Sequence, residues 1–114
     1  MKRRHNTIEV YNKMKLVRDY IPEIIEEDGK WCLTRRVHGI DEHMVMLKEK
    51  IYEEAQEFIE NPCYEEAADM IEVVRTFCKL NNLELVEALE FAQRKRELRG
   101  SFNNGIILQR VGED

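Results

Sequence analysis

The chain has little of what punctuates sheet proteins: five glycines and two prolines in 114 residues. That scarcity excludes a turn-rich sandwich and a Gly-rich phosphate loop. Its three cysteines, Cys32, Cys63 and Cys78, are odd in number and lack CxxC or Cys/His spacing. A zinc site and a disulfide framework are thereby excluded, so reduced thiols are expected, with Cys78 in the core. No apolar run approaches the roughly 20 residues that cross a bilayer. No apolar stretch stands behind Lys2, Arg3 and Arg4, so a cytoplasmic protein with no membrane partner is expected. An excess of positive charge is also missing: 18 Lys and Arg face 23 Asp and Glu, for a net charge of -5, which disfavours nucleic acid as a partner. The length allows one domain, 1–114. With 43% hydrophobic and 36% charged residues, a single copy can bury only limited apolar area, and a multimer is expected.

What the chain does have is helical periodicity. Asp19 is placed to cap a short helix with Pro22 in its first turn and Gly29 as its stop. Asp41 is placed to cap a longer one over about Glu42 to Glu60. Asn61-Pro62 interrupts the pattern, which resumes from about Tyr64 to Leu80 and stops at Asn81-Asn82. Two long helices joined so closely form an antiparallel hairpin. A further helix is expected from about Glu84 to Arg99, ended by Gly100. Residues 31–38 alternate loosely and 105–111 read as a terminal strand, so a small two-stranded sheet pairing 32–37 with 106–111 is expected. The fold class is therefore mainly α: a hairpin with additional helices and a small sheet, multimeric.

Helical wheels separate solvated acids from those that share the apolar side. With Leu47 as origin and about 100° per residue, Phe58, Ile51, Met44 and Ala55 fall between about 20° and about 80°. Glu54, at about 340°, borders this stripe; Glu57 lies beside it at about 280°, Glu53 at about 240°, and Glu60 points away. With Glu65 as origin in the next helix, Val73, Phe77, Met70, Val74, Ala67, Cys78 and Ile71 span about 80° to about 240°. Glu66 falls inside that arc at about 100°, and Asp69 at its edge at about 40°. A carboxylate among apolar groups needs a cation, a hydrogen-bond network or a proton. Glu54 with Glu57, and Glu66 with Asp69, are each three apart and project from one face. Facing pairs make an oxygen-rich cage of the kind that suits Mg²⁺. Ordinary pairing with Lys48, Lys50 or Arg75 is the competing explanation of the same acids.

Glu53-Glu54-Ala55-Gln56-Glu57 followed by Glu66-Ala67-Ala68-Asp69 resembles the EExxE…ExxD pattern of the MazG-like all-α nucleoside triphosphate pyrophosphohydrolases. The segments Lys15-Leu16-Val17-Arg18-Asp19 through Ile25, and Lys95 to Phe102, are similar to the phosphoribosyl-ATP pyrophosphohydrolase-like branch, and the resemblance spans roughly residues 11–111. It departs at Ser101, where a second glycine is usual, and in the short interval from Glu57 to Glu66. The resemblance implies Mg²⁺-dependent cleavage, with Mn²⁺ as a substitute, between the α- and β-phosphates of a nucleotide. The products are a monophosphate and pyrophosphate, often to clear non-standard or surplus nucleotides. It implies metal ligation by Glu54, Glu57, Glu66 and Asp69, and water activation by Glu53 or Glu54. The triphosphate of the nucleotide substrate requires cations, for which Lys15, Arg18, Lys95, Arg96 and Arg99 are candidates. Trp31, Tyr52 and Phe102 are candidates for stacking on a base.

Two other readings stay open. One is the phosphoribosyl-ATP pyrophosphatase of histidine biosynthesis, which shares fold and cleavage type. The other is a non-enzymatic helical interaction module, whose acids are solvated or paired and whose apolar faces only dimerise. Homodimer or homotetramer is the expected assembly in the enzymatic reading.

Overall fold

The computed structural model describes residues 14–113. Residues 11–13, where the family resemblance begins, and the basic residues Lys2 to Arg4 lie outside that range. Among the described residues four helices follow one another: α1 (Ile21–Glu27), α2 (Ile40–Glu60), α3 (Tyr64–Leu80) and α4 (Leu85–Arg99). Helices α2 and α3 pack side by side as the expected hairpin, and α4 touches α3 alone among the described helices.

The hairpin turns where Asn61-Pro62 cannot continue a helix. Its other end is closed by a hydrogen-bonded stop. Leu83 N–H donates to the Cys78 carbonyl at 2.8 Å and Asn82 N–H to that of Lys79 at 3.1 Å, with Asn82 at φ 60. This is the Schellman arrangement with asparagine in the left-handed position. Asn81 Nδ2 donates to the Phe77 carbonyl at 2.7 Å and reaches Met44 Sδ at 3.5 Å, so the end of α3 lies against the start of α2. Helix α1 stops the same way: Gly29 at φ 82 donates to the Glu26 carbonyl and Lys30 to that of Ile25.

Both expected aspartate caps are absent. Helix α1 begins after Tyr20 and α2 after Gly39, neither with a side-chain cap. Asp41 sits inside the first turn of α2, where its charge favours the helix dipole without accepting a capping bond. Arg35 does the local work instead. Its guanidinium forks onto Glu42 at 3.1 and 2.8 Å, and the His38 N–H donates to the same carboxylate at 2.7 Å. The Arg35 hydrogen bond, with that from His38, pulls the Glu42 carboxyl down to about 2.

The small sheet does not form. Residues 31–38 and 105–111 contain no strand, and among the described residues no backbone hydrogen bond joins them. The physical reason is placement. The first segment enters α2, beside the corner where α3 ends and α4 begins. The second leaves the far end of α4, a helix of 15 residues and hence about 22 Å long. Loose alternation without a partner ladder leaves a chain extended but unpaired.

Burial within one chain is slight. Leu47 is the single buried hydrophobic residue among those described, while Met44, Ile51, Val73, Val74, Phe77 and Cys78 are half-buried. Ile71, placed by its wheel angle on the apolar arc, is 51% exposed. Helix α4 buries nothing because its apolar residues have no common side: from Leu85, Leu89 falls at about 40°, Val86 at about 100°, Leu98 at about 220° and Phe91 at about 240°. The chain extends 67 × 30 × 23 Å with a radius of gyration of 18.6 Å, against about 13 Å for a compact chain of this size. No described helix is long and apolar enough to cross a membrane.

Candidate metal centre

The side chains most completely enclosed by the hairpin include two acids. Glu54 and Glu66 are each 1% exposed and Asp69 is 8% exposed. Glu54 comes from the α2 stripe and the other two from α3, one turn apart, so the antiparallel pairing of the helices brings them face to face. One carboxylate oxygen from each lies within 4.8 Å of the others. The positions that border or enter the apolar arcs on the wheels are thus the ones enclosed, whereas Glu60 and Glu65 are exposed. Glu57, half-buried one turn further along α2, lies outside this three-oxygen group.

Cations hold the rim. Lys15 Nζ stands 2.6 Å from Glu53 Oε2, and Lys50 Nζ 3.0 Å from Glu53 Oε1 and 3.6 Å from Glu54 Oε2. Arg18 Nη2 donates to Asp69 Oδ1 at 2.8 Å. Burial pushes the Glu53 carboxyl up, but the hydrogen bonds from Lys15 and Lys50 outweigh it and hold the group down at about 2. Glu53 is therefore anionic at any ordinary pH and a poor proton acceptor. Lys50 and its two acids obey the i,i+3 and i,i+4 spacing that places them on one helix face, so this partner is visible in the sequence as an alternative explanation of the acids. Of Lys48 and Arg75, weighed for the same task, Arg75 pairs with Glu72 at 3.5 Å. The strap formed by residues 15–18 is different, since it reaches acids 38 and 51 residues away, and no spacing rule reveals such partners.

Glu66 is what the rim leaves uncompensated. Its Oε1 is fully enclosed and accepts no hydrogen bond among the described residues. A buried charge of this kind costs several kcal/mol unless a cation joins it. The donor set is all carboxylate oxygen, without sulfur or imidazole, and so fits a hard divalent cation such as Mg²⁺.

Other candidates stand elsewhere. Lys95, Arg96 and Arg99 are exposed on α4, where Arg96 donates to Gln93 at 3.0 Å. Trp31, Tyr52 and Phe102 are 81%, 77% and 99% exposed, so the single chain gathers them into no base-binding wall. No known protein family, curated protein or solved structure matches the chain.

Proposed function

We propose that the chain is a Mg²⁺-dependent nucleotide pyrophosphohydrolase of the MazG-like kind, splitting a nucleoside triphosphate between its α- and β-phosphates. The observation that carries this reading is Glu66: a fully enclosed carboxylate whose Oε1 lacks a hydrogen bond, within 4.8 Å of oxygens from two more buried acids. In a plain interaction module the pairs made by Lys15, Lys50 and Arg18 suffice for Glu53 and Asp69, yet Glu66 is left as an unexplained penalty.

Glu54, Glu66 and Asp69 would hold the divalent ion, with Glu57 as the outer ligand on the α2 side. The ion, when bound, supplies positive charge against the phosphoryl oxygens and the departing pyrophosphate. Water adds to phosphorus, the α,β bridging bond breaks, pyrophosphate leaves, and the water proton passes to a carboxylate. Glu53, with lysines on both oxygens and a carboxyl at about 2, orients rather than accepts. The exposed cations Lys95, Arg96 and Arg99 meet the triphosphate, and a second copy of the chain covers the apolar surface that α2, α3 and α4 leave exposed. Val45, Tyr52, Ile59, Val86, Leu89 and Phe91, all more than half exposed, support such an assembly, because one buried apolar residue among those described is too little for an independent core.

Pyrophosphate release over a panel of normal and modified NTPs and dNTPs tests the proposal. Glu66→Gln and Asp69→Asn should lose at least about 100-fold in turnover and Glu60→Gln almost nothing. Equal turnover in all three would leave the interaction module as the better reading.

A further inference from the structure

Resting on the metal reading above, we infer that Arg18 is a positioning residue that pre-sets Asp69 for metal binding, rather than a ligand for the substrate's phosphates. Asp69 is shared between two tasks. Its Oδ1 takes the Arg18 guanidinium at 2.8 Å and its Oδ2 is enclosed, while one of its oxygens lies within 4.8 Å of oxygens of Glu54 and Glu66. Three carboxylates with oxygens within 4.8 Å of one another repel, and an aspartate facing such neighbours swings away unless something holds it. The guanidinium supplies that hold from outside the cage, because its side chain is 55% exposed while that of Asp69 is 11% exposed. Solvent therefore screens Arg18's repulsion of an incoming ion, but not its short contact with the carboxylate. The Arg18 carbonyl also accepts the Ile21 N–H at 3.1 Å, which ties its backbone to the start of α1. Ligand carboxylates are oriented by just such outer hydrogen bonds, whose loss weakens metal binding about 10- to 100-fold.

Three roles for Arg18 give three signs in one measurement. Mn²⁺ binding to the full chain is followed by electron paramagnetic resonance without nucleotide, for wild type, Arg18→Met and Arg18→Lys, with circular dichroism confirming helix content. A positioning role predicts Mn²⁺ binding about 10- to 100-fold weaker in Arg18→Met and partly restored in Arg18→Lys, which keeps the charge without the guanidinium fork. Unchanged Mn²⁺ affinity in Arg18→Met overturns the inference, and a raised KM for nucleotide in a separate pyrophosphate-release assay then identifies a phosphate ligand. Tighter Mn²⁺ binding in Arg18→Met overturns it in favour of a mere competing charge. Absence of Mn²⁺ binding by the wild type removes the metal reading itself, and with it this inference.

Discussion

Replacing Glu66 by Gln should invert the order of stability between metal-free and metal-loaded protein. The change keeps the shape of a fully enclosed side chain and deletes its charge. At 4.8 Å, the outer limit of the carboxylate cluster, two like charges repel by about 3.5 kcal/mol at an effective dielectric of 20. Glu66 faces two such neighbours. Arg18 on Asp69 and Lys50 near Glu54 cancel most of this, and a net relief of about 1–2 kcal/mol remains as the working figure. The amide of the new residue donates to the surrounding carboxylates, so no buried donor is stranded. In EDTA the variant should therefore melt higher than wild type by roughly 5 °C. With Mg²⁺ at a hundred times its Kd, the wild type gains about 2.7 kcal/mol, which exceeds the relief and restores its lead, whereas the variant shifts little. Differential scanning calorimetry in EDTA and in Mg²⁺ reads both signs. A variant that melts below wild type in EDTA, or a wild type indifferent to Mg²⁺, would refute the reasoning.

The Arg35 fork onto Glu42 gives a pH prediction with a definite sign. The folded carboxyl is held at about 2 against an ordinary 4.5, so its contribution is present above about pH 4.5 and is lost as pH falls towards 2; urea midpoints over that window should fall less steeply for Glu42→Gln than for wild type, and parallel curves would contradict it. Sedimentation at micromolar concentration should show a dimer or larger species, and a stable monomer of 13.7 kDa would remove the shared apolar surface from the proposal.

Helix α3 is legible to the residue, from Tyr64 to Leu80, because proline before it and paired asparagines after it bracket a clean 3.6-residue period. Glu66 is legible for the same reason: one acid inside an apolar arc contradicts its surroundings. The caps mislead, since Asp19 and Asp41 are good capping residues whose positions fall one or two residues off the actual helix starts, and local propensity does not fix boundaries that finely. The expected sheet rests on alternation alone, and alternation carries no information about whether a partner lies within reach. The partners of Lys15 and Arg18 are hidden because an ion pair across 38 or 51 residues leaves no periodic mark. Charge alone assigns both to a triphosphate, and their ion pairs with Glu53 and Asp69 are visible only in the structure.

The difference in chain separation also orders events during folding. Glu54 lies twelve residues from Glu66 and fifteen from Asp69, across a single tight turn, so a helical hairpin brings them together with little loop-closure entropy and on the fast time scale of local contacts. The strap closes loops of 38 and 51 residues, each doubling of length adding about 0.6 kcal/mol of entropy, for salt links at a partly wet edge. The acids, with Lys50 already beside Glu53 and Glu54 on α2, therefore meet before Lys15 and Arg18 arrive. Conversely, detachment of the strap in the native state would open the acidic face while the hairpin stays folded. A newly made chain passes through the same state, an assembled hairpin whose acidic face the strap does not yet cover.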